Sequence, residues 1–124
     1  MEAIHSDAAP AAIGPYAQAI RCGDLIFTSG QIALTANGNF IDDNVAAETQ
    51  QVMKNLDHVL KAAGCELNCI VKTTIFLTDM NDFTKVNEVY GRFFTGDSPP
   101  ARACVEVAGL PKGALFEIDC VALA

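Results

Sequence analysis

Between Val45 and Ala63 the apolar positions 45, 52, 53, 56, 59, 60 and 63, joined by Thr49, recur at the spacing of one helical face. Asn44 or Asp43 offers an N-cap, and Gly64 stands just past the last apolar position, where helices commonly end. A helix with a single apolar stripe has to bury it against another layer. The rest of the chain says what that layer is.

Residues 16–21 and 25–29 read as two short strands around the turn Cys22-Gly23-Asp24. Residues 69–78 are rich in β-branched and aromatic types and precede a second helical pattern near 82–94, with Phe83, Val86, Val89 or Tyr90, Phe93 and Phe94 apolar. Two strands close the chain, 101–107 and 114–122, joined by Ala108-Gly109-Leu110-Pro111-Lys112-Gly113, whose glycines and proline mark a turn. The order ββαβαββ predicts an α+β fold, with both helices packed on one face of a mixed β-sheet.

The other sheet face also calls for a cover. If the last two strands pair as a hairpin, Cys104 falls near Glu117 and Arg102 near Asp119. By the two-residue strand period, Ala101, Ala103, Val105 and Val107 should then face the helices with Phe116, Ile118 and Cys120. Arg102, Cys104, Glu117 and Asp119 would share the opposite face, beside Leu115 and Val121. Such a mixed face suits coverage by a second copy, with pockets between chains.

At 124 residues the chain has the length of one domain, and no repeat, low-complexity tract or linker divides residues 1–124. Eight Lys and Arg against 15 Asp and Glu give a net charge of −7, which repels a phosphate backbone, so no nucleic-acid partner is expected. The start, Met1 to Asp7, lacks the basic end and apolar stretch of a signal peptide, and no run of 18 apolar residues occurs. The expectation is a cytoplasmic protein that does not enter a membrane. The five cysteines, an odd number without Cys-x-x-Cys spacing, read as free and mostly buried thiols.

Arg102 is the side chain suited to a substrate carboxylate, because its planar fork makes two charge-assisted hydrogen bonds at once. A structural ion pair with Asp119 or Glu106 is the competing role, and spacing does not decide between them. Glu117, between Phe116 and Ile118, sits where desolvation would raise its pKa towards the range of a general acid or base, with a rim carboxylate as the alternative. Cys104 lies near a guanidinium that would favour a thiolate. No histidine is placed to activate it, so a pocket wall is the preferred role. Two distant histidines and Cys65-x-x-x-Cys69 do not make a metal site, and no glycine-rich phosphate loop appears. No metal or organic cofactor is expected.

The blocks Ile13-Gly14-Pro15-Tyr16-Ala17-Gln18-Ala19, Thr28-Ser29-Gly30-Gln31-Ile32, Val71-Lys72-Thr73-Thr74-Ile75-Phe76-Leu77, Pro100-Ala101-Arg102-Ala103-Cys104-Val105-Glu106-Val107 and Phe116-Glu117-Ile118 resemble the RidA (YjgF) family of reactive-intermediate deaminases. The resemblance runs from about Ala9 to the C-terminus. It implies a chorismate-mutase-like subunit in a homotrimer with three clefts between subunits. It further implies hydrolysis of 2-imino acids, formed from enamines such as 2-aminoacrylate, to 2-keto acids and ammonia. Carried over by motif, Arg102 would grip the carboxylate, helped by the backbone N–H of Cys104, while Glu117 would orient the attacking water. Tyr16 and Ser29 would complete the pocket, Gly30 would lie close to the substrate nitrogen, and Asn87 matches a position near the cleft. The short segment Gly96-Asp97-Ser98-Pro99 could alter the cleft rim. A non-catalytic keto-acid-binding regulatory protein, a translation-inhibitor or endoribonuclease relative and a chaperone-like protein are the rival functions. A non-catalytic relative would be expected to lack the acid at position 117.

Overall fold

Helix α1, Val45–Ala62, starts where the sequence places its cap: Asn44 has extended backbone and its side chain accepts the Ala47 N–H at 2.8 Å. It stops before Gly64, whose φ of +85° lies in the left-handed region that favours glycine. All eight positions of the apolar stripe are buried. The computed structural model describes residues 1–124, and the stripe packs on a sheet of six strands: β1 (Glu2–Ile4), β2 (Ala19–Cys22), β3 (Leu25–Thr28), β4 (Ile70–Leu77), β5 (Ala101–Glu106) and β6 (Phe116–Leu123). The second helix, α2, spans Phe83–Gly91, shorter than the 82–94 expected, with a 3-10 turn at Met80–Asp82 ahead of it and Phe93 and Phe94 packed beyond its end. The protein is thus α+β, as the pattern predicts. No helix is long and apolar enough to cross a membrane.

Two polar residues of α1 fasten loops to the core. Asn55, fully buried, donates to the carbonyls of Ile32 and Leu34 at 3.2 and 2.7 Å. Glu48 is 1% exposed and accepts the Leu115 N–H at 2.9 Å, just ahead of β6. Glu48→Ala is expected to cost about 3 kcal/mol, since it orphans a buried donor and leaves a void. Denaturant titration would register this as a lower midpoint at unchanged slope.

The strand order is β1-β2-β3-β6-β4-β5. The first hairpin is as expected, with Ala19 to Cys22 pairing antiparallel with Thr28 to Leu25. Residues 16–18 lie ahead of β2 rather than in it, and β1, a strand the sequence pattern is too short to reveal, pairs with β2 at the sheet edge. The closing hairpin does not form. β5 pairs parallel with β4, and β6 runs antiparallel between β3 and β4, so β4 separates the two strands expected to be neighbours. The cause is the crossover: β4, α2 and β5 form a βαβ unit, whose strands must be parallel, and the 107–115 connection then passes over β4.

This topology also reverses the expected facing of β5. The register sets Arg102 beside Thr73 and Cys104 beside Ile75, and Thr73 and Ile75 are fully buried under the helices. Arg102, Cys104 and Glu106 therefore lie on the helix face, while Ala103 and Val105 lie on the open face with Thr74 and Phe76. Glu117 pairs with Phe76 and Asp119 with Thr74, which puts both acids on the open face too. Arg102 is thus beside neither Asp119 nor Glu117. Alternation could not orient β5, because both of its faces carry apolar or stacking partners.

Candidate functional site

The expected site residues fall into two groups on opposite faces of the sheet. On the open face, the half-buried Glu117 is the focus. Burial pushes its carboxyl above the ordinary carboxylate range, and the like charge of Asp119 pushes it further the same way. Gly30 is where it is because of this carboxylate: a Cβ at Gly30 would lie 2.5 Å from Glu117 Oε2 and 2.8 Å from its Cδ. The absent side chain is the space the acid occupies. Gly30 and Glu117 line a cleft of about 370 Å³ with Tyr16, Ile13, Ile32 and Lys112.

Ser29 does not line this cleft. Its hydroxyl donates to the Ala17 carbonyl at 2.6 Å and its N–H to the Gln18 carbonyl at 2.9 Å, so it ties the 16–18 segment to the end of β3. That segment carries Tyr16, which is 52% exposed and whose hydroxyl accepts the Ile13 N–H at 3.4 Å. Ser29 supports one wall of the cleft rather than forming it. Pro111 and Lys112 close another side, and the sequence marks that segment only as a turn.

On the helix face, Arg102 is exposed and held from one side. Its guanidinium lies 5.3 Å from the centroid of the Phe83 ring and 5.1 Å from that of Tyr90, both on α2. Its Nη1 donates to Asn87 Oδ1 at 2.6 Å. No carboxylate pairs with it: the ion pairs are His5–Asp7, Arg21–Glu2, Lys61–Asp57 and Arg92–Glu88. The structural pair with Asp119 or Glu106 is therefore absent, and Glu106 instead accepts the Met80 N–H at 2.7 Å. Cys104, two residues along, packs partly buried against the core. Burial raises its thiol pKa and the Arg102 charge opposes this, so the neutral thiol is favoured.

Chemically, one face offers a fixed cation with spare donors and no acid of its own. The other offers a desolvated carboxylate at a cleft with apolar and phenolic walls. Phe83 and Tyr90 were legible in the sequence only as an apolar helix face. Their spacing to Asn87, at i, i+4 and i+7, was the signal that one stripe of α2 supports Arg102.

The profile of the family described as Endoribonuclease L-PSP matches residues 6–124. A mouse protein named 2-iminobutanoate/2-iminopropanoate deaminase is 49% identical over 121 residues, covering 97% of this chain and 89% of that one. Among solved structures, a Yersinia pestis protein of the conserved Rid family superposes with a TM-score of 0.97 at 44% identity, covering 99% of this chain and 98% of the other. E. coli TdcF, solved with bound serine, superposes with a TM-score of 0.94 at 38% identity, covering 100% and 99%. A profile spanning nearly the whole chain, and relatives approaching half identity along it, establish that the protein is a member of the Rid (YjgF) family, with that family's chorismate-mutase-like α+β fold.

Proposed function

We propose that the protein hydrolyses 2-imino acids such as 2-iminobutanoate and 2-iminopropanoate to 2-keto acids and ammonia, at a site shared between two copies of the chain in a homotrimer. The observation that carries this is the placement of Arg102 and Glu117 on opposite faces of one sheet. A 2-imino acid bears its carboxylate on the carbon next to the imine, so one chain cannot hold the carboxylate with Arg102 and reach the imine carbon with Glu117. A second copy laid on the open face can bring its own Arg102 to the first copy's Glu117. Phe27 and Val105, both more than 40% exposed on that face, provide the apolar surface for such packing. The deaminase name of the mouse relative and the serine in TdcF support a small carboxylate-bearing ligand.

The chemistry then follows from the two half-sites. Arg102 binds the carboxylate, with the backbone N–H of Cys104 beside it. Tyr16 walls the cleft. Ionised Glu117 accepts a proton from a water whose oxygen bonds to the carbon of the protonated imine, C=NH2+, and the C=N electron pair moves to nitrogen to give a neutral amine. Glu117 then returns the proton to that nitrogen. The C–N bond breaks as the hydroxyl oxygen forms the carbonyl, its proton leaves to solvent, and ammonia departs. Water and imine are consumed, and keto acid and ammonia are formed. The net charge of −7 and the neighbouring acids Glu117 and Asp119 disfavour a polyanion on this face, which weighs against ribonuclease activity.

The direct test is to generate 2-aminoacrylate with a pyridoxal-phosphate lyase and follow pyruvate. The protein is expected to speed pyruvate release, and no acceleration would refute deamination. The pH profile gives a sharper check. Because burial, and after it the Asp119 charge, raises the Glu117 pKa, and the ionised form is the active one, activity should rise with pH through that raised value. Asp119→Asn removes the like charge, so the rising limb should move to lower pH.

A further inference from the structure

Arg102, assigned above as the carboxylate receptor, sits in a cradle of side chains from α2 that is anchored on β4. Thr73, fully buried in β4, is the register neighbour of Arg102 on the helix face, and its hydroxyl shares a hydrogen bond of 2.9 Å with the Tyr90 hydroxyl. That bond anchors the end of the Tyr90 side chain beside the base of Arg102, so the ring presents its face to the guanidinium. Phe94 braces the same ring, with centroids 4.7 Å apart and planes tilted by 44°. Phe83 and Asn87 lie on the same stripe of α2 and complete the cradle: a second ring, and one amide oxygen that takes a single Nη1 proton. One N–H of the fork is thereby used, and no other side chain or carbonyl of the chain accepts from the remaining ones.

We propose that Phe83, Asn87 and Tyr90 are positioning residues, which hold Arg102 ready to receive a carboxylate and so set affinity for 2-imino and 2-keto acids without taking part in the water addition. A free arginine side chain surrenders much rotamer freedom when it binds, and a cradle that orders it beforehand removes this cost from binding. The carboxylate is gripped alike in the ground state and the transition state. Loss of the cradle should therefore raise KM while leaving kcat nearly unchanged. The inference rests on the assignment of Arg102 as carboxylate receptor made above.

The experiment measures kcat and KM for 2-iminobutanoate in Tyr90→Leu, Asn87→Ala and Tyr90→Phe, with calorimetric binding of 2-oxobutanoate to each protein. Tyr90→Leu and Asn87→Ala should each raise KM and the 2-oxobutanoate Kd about tenfold, with kcat within about twofold. Tyr90→Phe keeps the ring face and should bind nearly as the wild type does, though it melts lower for want of the Thr73 bond. Asn87 is on the partly exposed side of α2, so its variant reports even if Tyr90→Leu fails to fold. Wild-type affinity in folded Tyr90→Leu or in Asn87→Ala would overturn the proposal. So would a Tyr90→Phe defect as large as that of Tyr90→Leu, or a wild-type protein that binds no 2-oxobutanoate. Binding that weakens as expected in a protein without turnover would uphold the cradle and refute deamination alone.

Discussion

Arg102→Ala is expected to lower kcat/KM for 2-iminobutanoate by about 10²- to 10⁴-fold, the worth of two charge-assisted hydrogen bonds at about 1.5–3 kcal/mol each. The loss should fall mainly on KM. Stability should barely change, because Arg102 is exposed and has no acid partner whose charge its removal would strand. Had Arg102 formed the expected ion pair with Asp119, the same substitution would have left a desolvated carboxylate alone. A thermal melt therefore distinguishes the two roles. An Arg102→Ala melting temperature within a few degrees of wild type, with activity lost, is the outcome for a receptor. Arg102→Lys should recover only part of the activity, since a point charge cannot make the planar two-point contact.

Glu117→Gln should behave differently, with kcat falling by about 10²- to 10⁴-fold at nearly constant KM. The amide keeps the volume and the hydrogen-bonding shape but cannot accept the proton of the attacking water. Stability should hold or rise slightly, because the carboxylate sits in surroundings that disfavour its charge. Gly30→Ala should copy part of this defect without touching the acid. Its new Cβ would meet Oε2 at 2.5 Å, and the carboxylate is the flexible partner that must move. Steady-state kinetics with melts of both variants checks this. A Glu117→Gln protein with wild-type kcat would show that water is activated elsewhere.

Much of the fold was written in periodicity. The α1 stripe, its Asn44 cap and the β2–β3 turn are local features, and local features are what spacing reports. The partnership of β5 was not. Ala101 to Val107 alternates as well as any strand, but whether it pairs with β6 or with β4 depends on how a crossover packs, which no short stretch encodes. That one pairing moved Arg102 to the helix face and away from Glu117. Chemistry and resemblance single out Arg102, Glu117, Gly30 and Tyr16, but neither shows that Arg102 lies on the face opposite the cleft that the other three line. Ser29 and Asn87 illustrate a further gap: no spacing reveals that the Ser29 hydroxyl donates to the Ala17 carbonyl or that the Asn87 amide oxygen accepts from Arg102. A sequence states which groups are available, while the structure shows which are already engaged.

In the proposed trimer one chain's Arg102 serves another chain's Glu117. Mixing Arg102→Ala with Glu117→Gln, after brief dissociation and reassembly and at substrate well below KM, where each alone is nearly inactive, tests it most directly. In a cyclic trimer with random exchange, each mixed assembly contains one interface at which both native residues meet. Activity should therefore return to roughly a quarter of the wild-type value at equal mixing. If the mixture stays as inactive as its components while mass measurement shows that subunits have exchanged, the two residues do not share a site across chains, and the shared-site account is wrong.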